Sequence, residues 1–311
     1  MTYHKDIYLD IFHSIDFEKI RDHPNILIAA NFWEEDRFQA ARTCYKFMRS
    51  LDDLIDNYKA EHAVISDVEK KVLIRSAENW IQSIRFNNNG NPGHRELMDV
   101  IQKFNIPVWP LEEFVKSMVY DINHTGFKTM QSFIEYSQGA SVSPAAIFVH
   151  LTGLQKEGNA YRAPAFNVRE ISAPCAMFSY IVHIIRDFVK DQLNNLNYFA
   201  EDIMLKNNLN REKMVNMAKG SALSAGFRNM MREYYLNADE YRIKTENVLK
   251  EISPLLEPRY HLSLEIIFDL YLMVFERIDV EHGNFTTREL NPTPSETRER
   301  VNNKILKFVH N

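Results

Sequence analysis

Apolar residues recur along most of this chain at spacings of three and four, which is the period of an amphipathic α-helix. The clearest case is the segment from Glu35 to Tyr58, where Phe38, Tyr45, Met48 and Ile55 share one face. The chain also has only 9 glycines among its 311 residues. The pattern therefore predicts an all-α protein.

The same periodicity locates the helices, and clusters of Gly, Pro and Asn locate the breaks between them. The predicted helices are 7–17, 24–32, 35–58, 67–86, 94–104, 110–122, 131–154, 172–193, 199–207, 211–250, 253–257, 259–281 and 295–309. Residues 87–93 and 155–170 are predicted to be loops, and 283–294 an irregular segment. No repeat and no shift in composition marks a linker, so we predict one domain over residues 1–311.

Two of the predicted helices carry matched pairs of carboxylates. Asp52 and Asp56 lie four residues apart, and so do Asp187 and Asp191 in a later helix. Residues at positions i and i+4 lie on the same face of a helix. Two such helices facing each other would wall a cavity with four carboxylates.

Each acidic pair has an arginine beside it, Arg49 or Arg186, and apolar neighbours such as Leu54 and Phe188. The common alternative is that such a pair belongs to a solvated helix face. Apolar surroundings argue against it here, because a buried charge is costly without a partner or a metal. Carboxylates suit Mg²⁺, which completes its coordination with water and substrate phosphate. We therefore predict a Mg²⁺-dependent site for a diphosphate.

A run of small residues, 139–146, lies inside the predicted helix 131–154. Small side chains let another element approach the backbone closely, and that element could be a second helix or a ligand. Later in the same helix, His150 lies in an apolar pattern and is expected to be a core histidine.

Composition narrows the class of partner. Hydrophobic residues make up 45% of the chain and charged residues 25%, as in ordinary globular proteins. The net charge of −5, without a basic stripe carrying interleaved aromatics, argues against nucleic acid. Cys44 and Cys175 stand alone in apolar patterns, so we expect reduced core cysteines of a cytosolic protein.

The sequence also bears on membranes. The start of the chain lacks the basic and apolar regions of a signal peptide. The longest apolar stretch, 171–185, is too short and too polar to span a bilayer. We expect a cytoplasmic protein. Peripheral membrane contact stays open, because a greasy substrate would come from a membrane, and the oligomeric state stays open as well.

Taken in order, these motifs resemble those of the squalene/phytoene synthase family, the head-to-head prenyltransferases, over about residues 20–290. The first aspartate-rich motif of the family and its leading Tyr and Arg are matched by Tyr45, Arg49 and the run Asp52, Asp53, Leu54, Ile55, Asp56. The Met-x-x-Asp and Tyr-plus-small-residue segments are matched by Met118, Asp121 and Tyr136. The second motif and its trailing tyrosine are matched by Arg186, Asp187, Asp191 and Tyr198. Near the C-terminus, Tyr271 and Arg288 have the 17-residue separation of a substrate-binding Tyr and Arg.

The resemblance implies an isoprenoid synthase-type helical bundle with a central cavity. It implies a Mg²⁺-dependent prenyltransferase that joins two allylic diphosphates, expected to be farnesyl diphosphate, into a C30 product of the presqualene or squalene type. The implied metal ligands are Asp52, Asp53, Asp56, His183, Asp187 and Asp191. The implied diphosphate contacts are Arg49, Arg186 and Arg288. The implied catalytic tyrosines are Tyr45, Tyr136, Tyr198 and Tyr271.

A nicotinamide reductant stays open. The chain has no Gly-rich dinucleotide motif between a strand and a helix. Squalene synthases of the family nevertheless use NADPH without such a motif, so its absence decides nothing.

Four residues depart from the family pattern. Tyr180 and His183 stand where the family usually has Gln and Asn, Lys190 replaces an acidic residue, and Leu196 replaces an Arg that helps hold phosphate. The Ser-x-Ser-Pro-Ala form of residues 141–145 is closer to hydroxysqualene synthase-like members. Two alternatives follow: conversion of presqualene diphosphate to hydroxysqualene, or a non-catalytic member that binds lipid or an assembly partner.

Overall fold

A computed structural model describes residues 2–20, 24–62, 65–85, 92–158 and 160–309. In chain order its helices are α1 (Thr2–Ser14), α2 (Pro24–Ala30), α3 (Glu35–Glu61), α4 (Asp67–Arg85), α5 (Pro92–Lys103), α6 (Trp109–Asn123), α7 (Met130–Ser137), α8 (Ser143–Gly153), α9 (Val168–Arg186), α10 (Phe188–Leu193), α11 (Glu201–Lys206), α12 (Arg211–Ala218), α13 (Ala225–Ile252), α14 (Pro258–Phe275), α15 (Thr287–Leu290) and α16 (Pro294–Phe308). A π-helical turn, Gln138–Val142, joins α7 to α8, and a 3₁₀ turn, Ser253–Leu255, follows α13. Strands β1 (Gln155–Glu157) and β2 (Ala160–Arg162) form an antiparallel hairpin. The all-α prediction is confirmed.

Most predicted helices begin and end within a few residues of the observed ones, but several regions differ. The single helix predicted at 211–250 is wrong: the chain turns after α12 at Gly220, whose φ is +104°. Ser224 then caps α13 by accepting a hydrogen bond from the Phe227 amide at 3.2 Å. The first helix spans residues 2–14 instead of 7–17, and α14 ends at Phe275, six residues early. The predicted loop at 87–93 falls largely outside the described residues.

The predicted loop at 155–170 instead contains the β1–β2 hairpin, and α9 begins within the same segment, at Val168. Tyr161 anchors the hairpin: its ring centroid lies 4.8 Å from that of Phe104, and its hydroxyl donates to Asp36 at 2.6 Å. The fully buried guanidinium of Arg37 lies 5.2 Å from the Tyr161 ring and 4.2 Å from the Tyr260 ring. One aromatic residue thus orders the segment, and a single anchor gives no periodic signal in the sequence.

Two hydrophobic clusters fill the interior. One is built mainly by α1–α6, α8 and α16, the other mainly by α7 and α9–α13, and α14 contributes to both. A cavity of about 1170 Å³ is lined by residues of both clusters. Both cysteines are free; Cys44 is buried as expected, whereas Cys175 lines the cavity. None of the described helices is long and apolar enough to cross a membrane.

The π-helical turn lies where the α7–α8 segment crosses α6. Gly139 faces α6 so closely that a Cβ there would collide with the Glu113 carbonyl oxygen and the Ser117 hydroxyl. The Ser117 hydroxyl in turn donates to the Tyr136 carbonyl at 2.7 Å. Ala140, next in the chain, lines the cavity. The small-residue run therefore serves both purposes, close helix packing and contact with the cavity.

Replacing Gly139 with alanine should destabilise the protein, because the added methyl group overlaps backbone that cannot move freely. We expect a loss of about 1–3 kcal/mol in the free energy of unfolding, the usual effect of overpacking a core. Urea unfolding followed by circular dichroism measures it. Gln131→Ala, an exposed change on α7, is the matched control, and equal stability of the two variants would contradict the close approach.

Candidate active site

The cavity brings together residues that are far apart in the sequence. Its lining includes all four aspartates of the two predicted pairs, together with Asp53. It also includes His183, Arg49 and Arg186, and the predicted tyrosines Tyr45, Tyr136, Tyr198 and Tyr271. Apolar side chains complete the wall, among them Phe114, Phe148, Ile252, Leu264 and Ile267. The arrangement combines a charged region with an apolar one in a single chamber.

The first acidic pair lies on α3. Arg49 reaches toward the C-terminal end of the helix and forms ion pairs with Asp52 at 2.7 Å and Asp53 at 2.6 Å. Leu54, expected to be one of the apolar neighbours, is 45% exposed, because it points away from the face that lines the cavity. The face that carries Asp52 and Asp56 is the one that turns inward.

The first pair is held in unfavourable electrostatic surroundings. Burial raises the pKa of Asp52 to about 6, despite Arg49, and the nearby carboxylates of Asp121 and Asp53 add to the rise. Burial also raises the pKa of Asp56 to about 8, with Asp52 and Asp121 contributing repulsion. The positive charge near these carboxylates is too small to offset the free-energy cost of ionising both of them at neutral pH.

The second acidic pair lies at a break between α9 and α10, where the sequence predicted one continuous helix. Asp187 leaves helical geometry, with φ −92° and ψ 8°. The Asp191 amide still donates to the Asp187 carbonyl at 2.8 Å, so the one-turn spacing of the pair persists. Arg186 donates two hydrogen bonds, both 2.7 Å long, to the two carboxylate oxygens of Asp187.

The two members of this pair differ in protonation. Burial alone would raise the pKa of Asp187, but the bidentate contact with Arg186 outweighs it and the net shift is downward. None of the described residues forms such a contact with Asp191, and burial and then repulsion by Asp187 raise its pKa to about 7, against the effect of Lys190. Asp187 is therefore a stable anion and Asp191 a carboxylate that a cation would ionise.

Tyr198 lines the cavity, where carboxylates of both acidic pairs act on it electrostatically. Burial raises its pKa well above the usual value, and the charges of Asp56 and Asp191, one from each pair, raise it further. The loop that carries Tyr198 is tied down by Asn197, which accepts from Gln192 at 3.2 Å and donates to the Phe199 carbonyl at 3.0 Å. These hydrogen bonds hold the loop, and with it Tyr198, in place at the cavity.

The remaining predicted residues are only partly brought together. Tyr271 lines the cavity, and its ring centroid lies 5.2 Å from that of His183. Burial raises the pKa of Tyr271 to about 12, while Arg186 and hydrogen bonds with the side chains of Asn25 and Ser179 lower it. Arg288 is exposed on α15 and lies outside the described lining of the cavity, although Thr287 belongs to it.

The structure contains a buried ion pair behind the site that was not predicted from the sequence. The Lys59 ammonium lies 2.5 Å from one carboxylate oxygen of Asp121, whose other oxygen accepts from the Tyr136 hydroxyl at 3.2 Å. Lys59 also lowers the pKa of Asp56. A signal existed, because Lys59 follows Asp56 by three residues and therefore shares its helix face. Asn25, which belongs to no motif, gave no signal.

The arrangement of the carboxylates can be compared with the ligands that the predicted Mg²⁺ requires. Among the described residues, no three or more His, Cys, Asp or Glu side chains converge closely enough to enclose a metal ion. Mg²⁺ does not need such a cage, because it binds one or two carboxylates and takes water and substrate phosphate as its other ligands. The raised pKa values of Asp52, Asp56 and Asp191 mark unneutralised negative charge that a divalent cation would relieve. The donor set fits Mg²⁺ shared with a diphosphate; the imidazole of His183 is the softest member.

Known proteins share this architecture. Residues 21–297 match the family model described as squalene/phytoene synthase. No curated protein sequence matches the chain. A solved dehydrosqualene synthase in complex with ligand has a TM-score of 0.66 and 15% identity, covering 98% of each chain.

Two further solved structures are similar. Squalene synthase HpnC from Alicyclobacillus acidocaldarius has a TM-score of 0.54 and 11% identity, covering 77% of this chain and 93% of that one. YisP from Bacillus subtilis subsp. subtilis strain 168 has a TM-score of 0.62 and 10% identity, covering 90% of each chain. At such identities the structures show the shared fold, whereas the family model matches the sequence itself. The chain therefore belongs to the squalene/phytoene synthase family, whose enzymes transfer prenyl groups in head-to-head condensations.

Proposed function

We propose that this protein joins two farnesyl diphosphates head to head, with Mg²⁺, into a C30 product of the presqualene or squalene type. The family binds isoprenyl diphosphates and uses divalent metals in general. The observation that carries the proposal is the shared cavity, in which both acidic pairs and their arginines meet an apolar wall.

The cavity is larger than a typical site for one drug-sized molecule, which favours a large substrate or two substrates bound together. At about 1170 Å³ it exceeds the roughly 300–1,000 Å³ typical of sites for a single drug-sized molecule. Its lining comes from both hydrophobic clusters, so apolar chains can extend from the charged region along either side. Two prenyl chains with adjacent diphosphates fit this description.

The charged residues would bind and orient the diphosphates. Asp52, Asp56 and Asp191 would hold Mg²⁺, which when bound neutralises diphosphate oxygens and improves the leaving group. Arg186 offers a planar guanidinium suited to phosphate oxygens, and Lys190, exposed at the cavity lining, offers a second cation. Lys190 thereby places a positive charge where the family usually has an acidic one.

The apolar wall would protect what is left after the diphosphate departs. An allylic carbocation reacts with water unless water is excluded. Phe114, Phe148, Leu264 and their neighbours provide that exclusion. The ring faces of Tyr136 and Tyr198 can stabilise the positive charge while the second double bond attacks.

The direct test is incubation of the purified protein with farnesyl diphosphate and Mg²⁺, with and without NADPH. We expect released pyrophosphate and a C30 lipid, identified by mass spectrometry. Presqualene diphosphate as an added substrate distinguishes the hydroxysqualene-forming alternative. Binding of prenyl diphosphates without any turnover, also with geranylgeranyl diphosphate, would favour a lipid-binding or assembly protein and would overturn the proposal.

Asp52→Ala and Asp187→Ala should each reduce turnover by at least about 100-fold, the scale of removing one preorganised charge from an active site. Both variants should keep the wild-type circular dichroism spectrum, because both side chains line the cavity and lie outside the two hydrophobic clusters. Asp99→Ala, an exposed aspartate on α5, is the matched control. Unchanged turnover in either cavity variant would contradict the assignment of the two acidic pairs.

The raised pKa values predict a pH-dependent response to Mg²⁺. The folded-state pKa of Asp56 is about 8 and that of Asp191 about 7, both above the usual aspartate value. Stability contributed by these groups is fully present below the usual aspartate pKa of 3.8, and it is lost progressively as the pH rises from there to about 7 to 8. The unfolding temperature of the metal-free protein should therefore fall between about pH 6 and pH 8.5, relative to Asp56→Asn.

Mg²⁺ should reverse this loss, since it binds the ionised carboxylates. Differential scanning fluorimetry should show a larger Mg²⁺-induced rise in unfolding temperature at about pH 8.5 than at about pH 6. Asp56→Asn, which keeps the side-chain shape without the charge, should show a smaller rise. The same Mg²⁺ effect at both pH values, in both proteins, would exclude these carboxylates as the binding site.

A further inference from the structure

We propose that Tyr180 is a cation-stabilising residue of this cavity, and that its ring forms, with those of Tyr136 and Tyr198, a tyrosine wall against which a prenyl carbocation lies. The identity of the cation rests on the proposed function. Tyr180 stands where the family usually has Gln, so this role belongs to the chain itself. All three tyrosines line the cavity.

The ring of Tyr180 is held by aromatic neighbours. It stacks on Phe133, with ring centroids 5.5 Å apart and planes 11° from parallel. Tyr198 meets it edge-on at 6.2 Å, and Tyr136 lies at 6.5 Å with planes 30° apart. Phe133 is fully buried and therefore fixes the ring from behind. The orientation of the ring does not depend on a ligand.

The hydroxyl groups of Tyr136 and Tyr180 are engaged with other protein groups. The Tyr136 hydroxyl donates to Asp121, which is paired with Lys59. Neither Lys59 nor Asp121 belongs to the described lining of the cavity, so this hydroxyl points into the wall. The hydroxyls of Tyr180 and Tyr136 interact in turn. At Tyr136 and Tyr180, a molecule in the cavity therefore meets rings whose hydroxyl groups are engaged with other protein groups.

The rings act as neutral aromatic surfaces. Burial raises the pKa of Tyr136, Tyr180 and Tyr198 well above the usual value, so none is a phenolate at neutral pH. A neutral phenol ring attracts a cation through the negative electrostatic potential of its face. Asp52 and Asp56 act electrostatically on Tyr180. The wall therefore lies near the carboxylates where the diphosphate would leave and the cation would form.

A binding experiment separates this role from turnover. The probes are a farnesyl chain ending in a dimethylammonium group and its neutral isostere with carbon in place of nitrogen, each with Mg²⁺ and inorganic diphosphate. Isothermal titration calorimetry gives the ratio of their dissociation constants, which is the preference for the cation. We expect wild-type protein to prefer the cation.

Tyr180→Leu should reduce this preference by about 2- to 30-fold, the range of a lost cation–π contact. Tyr180→Phe keeps the ring and should retain the preference. Tyr180→Gln introduces the residue that the family usually has and also removes the ring. It replaces the leucine variant in this experiment if that variant does not fold. Tyr235→Leu is the matched control, because Tyr235 stacks on Phe275 at 4.4 Å outside the described cavity lining.

The outcomes are decisive in both directions. Loss of the cation preference in Tyr180→Leu or Tyr180→Gln, with retention in Tyr180→Phe and Tyr235→Leu, supports the tyrosine wall. Retention in the variants without the ring, equal loss in Tyr180→Phe, or no preference in wild-type protein overturns it. Wild-type protein that prefers the cation but converts no prenyl diphosphate would refute the proposed reaction and leave the cation site standing.

Discussion

The burial of several carboxylates, which also repel one another, is the constraint on which this site depends. Asp52 and Asp56 share one helix face beside an apolar interior, and burial raises the pKa of both. The protein compensates for part of this charge with Arg49 and with Lys59, which pairs with Asp121 and also lowers the pKa of Asp56. It leaves the remainder uncompensated, as would be expected of a site completed by a metal and a diphosphate.

Helix packing places this charge at the wall of a cavity rather than at the surface. The contact between Gly139 and α6 brings the α7–α8 segment close enough for Ala140 to line the chamber. At the break between α9 and α10, Asp187 leaves helical geometry while a backbone hydrogen bond keeps Asp191 one turn further on. Both aspartates therefore still line the cavity.

The departures from the family pattern have structural settings of their own. Tyr180 stacks on Phe133, and His183 meets the ring of Tyr271, so both side chains belong to the aromatic part of the wall. Lys190 acts electrostatically on Asp191, lowering its pKa. Leu196 is buried and lines the cavity, so the phosphate contact of the Arg that it replaces has no counterpart there. These changes alter the charge and the aromatic surface without removing either acidic pair.

The sequence by itself determined the helical class, the family and the pairing of Asp52 with Asp56 and of Asp187 with Asp191, because helical periodicity and i, i+4 spacing are local properties. It did not give the turn at Gly220, because helical periodicity on both sides of that glycine predicted one helix over 211–250. Tertiary structure alone decided the rest. The hairpin held by Tyr161, the Lys59–Asp121 pair and the exposed position of Arg288 depend on contacts between distant segments, and no local spacing encodes where those segments meet.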